Sequence, residues 1–257
     1  MRDLHNPHDR FFYSVFSEKD NARDLLQNCL PDNIINMLNP DSVEVSRESF
    51  VDSKLSAHQS DILIRTKLRK SPLLIYILVE HKPYPYKWTV FQLLKYIVWI
   101  WEKELAQSSK IKQLTLIIPI IFYHGRSKWK FPLGFAAYFA HRGDLADELA
   151  PYIPDFRAGL FNVQQLDEAD MRGGIIYRAA LKTLKHAVRR LSPHLRDILQ
   201  SLLTLPFDER LRAFLSVLFR YILDESKDHE CTGQRQAGPR DRPPAGCRVR
   251  RRSSAGA

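Results

Sequence analysis

The feature that most restricts this chain is an ordered series of apolar segments with two different periods. Residues 61–68 (DILIRTKL) and 73–82 (LLIYILVEHK) are short, apolar and β-branched, and the turn-like RKSP joins them, so they read as two strands of a hairpin. Residues 88–106 (WTVFQLLKYIVWIWEKELA) are long, apolar and free of Gly and Pro, which predicts a largely buried helix. Residues 113–123 (QLTLIIPIIFY) predict a further strand that leaves through His124-Gly125. Pro119 cannot donate to a ladder, so this strand is expected at an edge or bulged there. Ahead of the hairpin, Phe11, Phe12, Val15, Phe16, Leu25, Leu26, Cys29 and Leu30 recur at helical spacing over 9–30, until Pro31 stops the run. Residues 43–51 partly alternate and suggest a strand, and 172–226 carries heptad-like apolar spacing. The order is helix, strand, strand, strand, helix, strand, then helices, and its natural class is mixed α/β with one central sheet.

At 257 residues, with roughly 150 per domain as a guide, the chain has room for one large domain or two small ones. The expected division is an α/β core over 1–126, a helical extension over 127–230 and a tail over 231–257. The net charge of +10 is concentrated in that tail, where seven arginines and one acid leave only +4 for the other residues. The tail has almost no large apolar side chains and cannot repay the entropy of ordering, so disorder is expected there. It reads either as a polyanion-attracting arm or as a divergent terminus. Cys29, Cys231 and Cys247 form neither a disulfide framework nor a zinc pattern, which fits a reducing, cytoplasmic compartment. The start, MRDLHNPHDRFF, has no apolar signal core. The apolar stretches near 73–79, 88–101 and 114–122 fall short of the roughly 20 residues of a membrane helix, so no membrane association is expected.

The chemistry lies at the ends of the hairpin. Asp61 opens one strand, and Glu80, His81 and Lys82 close the next. Alternation puts Glu80 and Lys82 on one face. A loop over 69–72, or over Lys70-Ser71, sets Asp61 directly opposite Glu80, with Cβ atoms about 4.5–5.5 Å apart. Two carboxylates that close repel unless a cation joins them, and Mg²⁺ is commonly held by one or two carboxylates with waters and phosphate oxygens. Lys82 beside such an ion can hold a water or a phosphoryl oxygen, and the set suits phosphodiester hydrolysis. The plain alternative is an exposed pair, Glu80 with Lys82, worth under about 1 kcal/mol. Gln92 and Tyr96 share a face of the following helix and want a polar neighbour.

Asp61, the E-x-K at 80–82 and the Q-x-x-x-Y at 92–96 together resemble the PD-(D/E)XK nuclease superfamily, with a RecB-like Q-x-x-x-Y element. More narrowly, the stretches 8–31, 49–68, 76–102 and 114–125 resemble the recombination-promoting nuclease (Rpn) and transposase-like family of bacterial proteins, in that family's order. The resemblance implies an α-β-β-β-α-β core with a central mixed sheet flanked by helices. It implies Mg²⁺-dependent DNA endonuclease activity, with Mn²⁺ as a substitute ion, little sequence preference and a link to recombination or mobile elements. Carried over by position, Asp61 and Glu80 become metal ligands, with the backbone carbonyl of His81 beside them. Lys82 becomes the catalytic lysine, and Gln92 and Tyr96 become supporting or DNA-facing groups. Many relatives read E-H-Q-S where this chain has Glu80-His81-Lys82-Pro83, and the lysine is nearer the general nuclease pattern. A first-helix carboxylate is also common, and Asp9 and Glu18 are both candidates.

Lys182, Lys185 and Arg189, with Arg178 a turn earlier, share a helical face that either grips phosphate or is simply solvated. His5 and His8 have no accompanying ligand cluster, and Trp88, Trp99 and Trp101 read as core. Two other readings remain: a nuclease-fold protein that binds DNA or a partner without cutting, and a homo-oligomer formed through 172–226.

Overall fold

The hairpin turn sets the geometry of the molecule. The structure is a computed structural model describing residues 7–46, 61–69, 71–80, 84–108, 110–139, 146–187 and 191–233, without the side chains of 76, 78–80, 146–147 and 225–233. Its elements are α1 (Pro7–Phe16), α2 (Lys19–Cys29), α3 (Asp32–Ile35), β1 (Glu44–Val45), β2 (Ile62–Leu68), β3 (Ser71–Glu80), α4 (Thr89–Gln107), β4 (Leu116–Tyr123), α5 (Ala146–Leu149), β5 (Gly159–Asn162), α6 (Ile175–Ala187), α7 (Ser192–Leu202) and α8 (Glu209–Gly233). The α-β-β-β-α-β order is present, and helix α8 runs past the expected tail boundary at 231. Residues 234–257, where disorder is expected, lie outside the described residues.

Between β2 and β3 the chain turns at Arg69. Arg69 has φ 57°, in the left-handed region that two-residue hairpins need to match strand twist. Its N–H donates to the Met37 carbonyl at 2.9 Å, which ties the turn to the segment after α3. Leu68 then pairs with Ser71 and Ile62 with Ile77. This register corrects the expected one by two positions. Ser71 and Pro72 look like turn residues but are the first residues of β3, where proline is tolerated. Continued by one residue, the ladder sets position 61 across from 78 instead of 80. A slip of two residues preserves the face of every side chain.

The sheet is mixed, with spatial order β1-β2-β3-β4-β5. The pairs β1–β2 and β2–β3 are antiparallel, and β3–β4 and β4–β5 are parallel. The strand holding Pro119 is therefore interior, against the expectation of an edge. Pro119 is tolerated because β5 pairs only with Ile120 onward, leaving position 119 flanked by β3 alone. Glu80 is level with Tyr123, and Tyr123 with Asn162. The start of β2 and the ends of β3, β4 and β5 thus share one edge.

Alternation feeds two cores. Ile62, Ile64, Ile75, Ile77, Ile120 and Phe122 join buried residues of α1, α2, α6, α7 and α8 on one face. Leu63, Leu74, Ile117, Ile121 and Tyr123 pack against Val90, Leu93, Ile97 and Ile100 of α4 on the other. The C-terminal helices therefore close the same core as the first two helices, with the Phe11 ring 4.6 Å from that of Tyr221. The single helix expected over 9–30 is two. The apolar period lapses between Phe16 and Ala22, Glu18 is extended (ψ 134°), and the buried Asn21 amide donates to the Val15 carbonyl at 2.9 Å across the break.

Arg69→Gly should stabilise the protein. It removes a left-handed cost of roughly 1–2 kcal/mol against a chain-entropy penalty of roughly 0.5–1 kcal/mol. An upward shift of the urea midpoint checks this, and a downward shift would contradict it.

Candidate active site

Asp61 sits one residue before β2 and is buried, at 5% exposure. Its position has the alternation of Leu63, which faces α4. Helix α4 begins at Thr89, on the edge where β3 ends, and its first turns bring Gln92 and Tyr96 over that face. Tyr96 is buried at 3% exposure. Burial first, and the charge of Asp61 second, push its hydroxyl above the usual tyrosine range. Asp61 and Tyr96, 35 positions apart in sequence, are therefore close enough to act on each other. Gln92 is half-buried one turn from Tyr96.

At the end of β3 the backbone of Glu80 completes the ladder with Tyr123. His81 and Lys82 lie outside the described residues, as does the Glu80 side chain. The observed register makes 61 and 80 diagonal neighbours, about 7–8 Å apart instead of directly opposed. Among the described residues, no three His, Cys, Asp or Glu side chains surround a common point.

The two first-helix candidates are at opposite ends of α1. Asp9 is in the first turn, one residue after His8, whose ring is 5.1 Å from that of His124. His124 follows Tyr123 at the carboxyl end of β4, so the first turn of α1 reaches the strand ends on the sheet face opposite Asp61. Glu18 is exposed beyond the far end of α1, beside Lys19 and Asp20.

Sequence reading missed a second polar group at this edge. His124 is buried at 1% exposure, on the face opposite Asp61. His8 lies beside it and is 2.7 Å from the Tyr221 hydroxyl of α8. A buried histidine directly after an apolar strand was the available signal, but its partners are distant in sequence. Trp88 corrects another expectation. It is 42% exposed, although Trp99 and Trp101 are half-buried and Trp101 donates to the Thr115 carbonyl at 2.8 Å.

The lysines of α6 are engaged within the protein. Lys182 pairs with Glu168 at 2.9 Å, and Lys185 donates to the Leu166 carbonyl at 2.5 Å. Arg189 lies outside the described residues. His186 is 2.6 Å from Glu168 and stacks on His194 of α7 at 3.5 Å. These contacts hold α6 to the segment before it and do not leave Lys182 and Lys185 as an open phosphate grip.

Against known proteins, the chain matches a family model described as "Putative transposase, YhgA-like" over residues 6–210. It is 35% identical over 135 residues to recombination-promoting nuclease RpnD of Escherichia coli O157:H7, which covers 52% of each protein. The chain belongs to the Rpn family. It is also 30% identical over 135 residues to the family's RpnA of Escherichia coli K12, covering 52% of this chain and 46% of that protein. A further relative, "Inactive recombination-promoting nuclease-like protein RpnE" of the same strain, is 27% identical over 122 residues, or 48% of this chain and 40% of its own length. The matched region thus spans about half the length of these curated Rpn relatives. No solved structure matches.

Glu168 offers a direct check on the α6 contacts. Burial alone would raise its pKa, but hydrogen bonds from Lys182 and His186, with their charges, bring it from 4.5 down to about 2. A depressed carboxylate contributes stability above its unfolded pKa and loses it as pH falls through the folded one. The thermal-midpoint gap between wild type and Glu168→Gln should therefore be present at pH 5 and vanish as pH falls from about 4.5 to about 2. A gap unchanged over that range would contradict the contacts.

Proposed function

We propose that this protein is a metal-dependent DNA nuclease of the PD-(D/E)XK type, with little sequence preference and a role in recombination or mobile-element biology. The observation that carries the reading is the buried Asp61 carboxylate at the sheet edge where β3 ends, in electrostatic contact with Tyr96 of α4. The names of the Rpn relatives support nuclease chemistry linked to recombination.

Magnesium fits this donor chemistry. Mg²⁺ takes oxygen ligands at about 2.0–2.1 Å and uses one or two carboxylates with substrate phosphates. An aspartate and a glutamate on diagonal positions about 7–8 Å apart are within reach of one ion, because each side chain adds its own length to the span. In this reading Asp61, Glu80 and the carbonyl of His81 hold Mg²⁺ or Mn²⁺. A metal bound there would polarise the phosphoryl oxygen and acidify a water molecule.

The protein's own groups do the rest. Lys82 neutralises charge on the phosphate or holds the attacking water. Tyr96 stays protonated at neutral pH and donates from the α4 side, and Gln92 offers both a donor and an acceptor one turn away. Of the two first-helix candidates, this reading prefers Asp9, in the first turn of α1, over the exposed Glu18.

A second reading has a specific observation in its favour. RpnE and YjiP of Escherichia coli K12 are named as inactive nuclease-like proteins, and YjiP is 36% identical to this chain over 90 residues. On that reading the chain keeps the fold and binds DNA or a protein partner without cutting.

Plasmid nicking separates the two. The purified chain should nick supercoiled DNA with Mg²⁺ or Mn²⁺ and stop on addition of a chelator. Asp61→Ala should lower the rate by roughly a hundredfold or more, the scale of losing one preorganised electrostatic group. Lys82→Arg should also slow cutting, because the planar guanidinium does not reproduce a compact ammonium. Undiminished cutting by Asp61→Ala would remove Asp61 from the chemistry. Absence of any metal-dependent product would favour the non-cutting reading.

A further inference from the structure

Several exposed aromatic residues, Trp88 and Phe91 among them, gather around the start of α4, beside the candidate active site. Phe135 is buried and acts as a hub. The Phe91 ring stacks on it at 6.4 Å and 17°, and Tyr138 at 6.4 Å and 24°. Trp88 meets Tyr138 at 5.9 Å. Above this hub, Trp88 and Phe91 are 42% and 46% exposed. Rings this open to water, yet held by a buried aromatic beneath them, form an exposed apolar platform of the kind that marks an interaction surface.

The charge around the platform is mostly positive; Asp155, which accepts from the Ala136 N–H at 3.0 Å, is an acidic group beside the hub. Residues 84–101 and 124–139 contain no Asp or Glu, but they hold Lys87, Lys95, Arg126, Lys128 and Lys130. Phe91 and Lys95 are i, i+4 positions on one stripe of α4, and Lys87 lies in the turn just ahead of the helix, its ammonium 4.9 Å over the Trp88 ring. Lys128 and Lys130 are exposed on the segment after β4. Trp129 between them packs on Tyr123 at 5.3 Å, the residue level with Glu80. Phe91 is next in sequence to Gln92. The platform and the sheet edge are therefore adjoining surfaces.

We propose that the surface formed by Trp88, Phe91 and Tyr138 with Lys87, Lys95 and Lys130 binds single-stranded DNA by stacking its unpaired bases. This deepens the nuclease reading and rests on it only for the statement that the bound strand is substrate. Cationic grooves attract any nucleic acid, but exposed ring faces add affinity only for bases that are not already stacked in a duplex. The substrate class is then DNA with unpaired bases, such as a frayed end, a gap or a displaced strand.

The test uses the intact chain in chelator, so that no cleavage occurs. Fluorescence anisotropy measures binding to labelled oligothymidylate and to a blunt duplex of equal length. Trp88→Ala and Phe91→Ala should each weaken oligothymidylate binding by about tenfold, the scale of one lost base–aromatic stack, and change duplex binding far less. Trp88→Phe, which keeps a ring, should retain most of the binding and guards against misfolding as the cause. Lys87→Ala and Lys95→Ala should each reduce the salt dependence of binding.

Equal losses on both DNAs, or none on either, would overturn the proposal. So would the absence of oligothymidylate binding together with a light-scattering dimer that Trp88→Ala dissolves, which would assign the platform to a second copy of this chain. The two readings fail separately. A chain that binds as described but never cuts with metal loses the nuclease function alone. A chain that cuts but is indifferent to Trp88→Ala loses this inference alone.

Discussion

The backbone turn at Arg69 decides which atoms of this protein can meet. Its left-handed φ reverses the chain in two residues, and the resulting ladder pairs Ile62 with Ile77. The parallel ladder of β3 with β4 then carries the same alignment across to Tyr123, and β5 extends it to Asn162. Asp61, the end of β3, His124 and the first turn of α1 reach one edge because these ladders are in register. A slip of one residue would send Asp61 to the opposite face, away from Tyr96. A slip of two, the difference between the expected and observed registers, changes only its distance along the sheet.

Burial on both faces of the sheet makes that alignment hard to change. One face is covered by α4 and the other by α1, α2, α6, α7 and α8. The C-terminal helices are part of the structure that supports the edge. Tyr221 of α8 meets His8 of α1, and Arg10 of α1 forms an ion pair with Asp224. The family match continues to residue 210 and so includes α6 and α7, while the shared core runs on through Leu211, Phe214, Leu218 and Tyr221 of α8. No helix among the described residues is long and apolar enough to cross a membrane.

The parts of this fold with long, regular apolar periods were legible in the sequence. β2, β3, β4 and α4 all have such periods, and Glu80, Gln92 and Tyr96 lie on them, with Asp61 one residue ahead of β2. What escaped depended on contacts between distant residues or on local backbone choices. The hairpin register escaped because Ser71-Pro72 has turn chemistry but strand geometry, whereas Arg69 turns without the usual Gly or Asn. The break in the first helix escaped because two amphipathic helices in tandem resemble one when the lapse in period is short. β5 is four residues long and begins with Gly159, so it left no strand signal. Apolar composition says that Trp88 and Phe91 prefer burial, but it cannot say that only their undersides receive it. At the site, neither the His8–His124–Tyr221 group nor the separation of Asp9 from Glu18 follows from spacing.

The central proposal is that the edge carrying Asp61 and the end of β3 holds one divalent cation. Electron paramagnetic resonance of Mn²⁺ titrated into the intact chain measures this without relying on cleavage. Wild type should bind one ion tightly enough to quench the free-ion signal, and both Asp61→Asn and Glu80→Gln should restore that signal at the same concentrations. Binding by Asp61→Asn that is indistinguishable from wild type would contradict it.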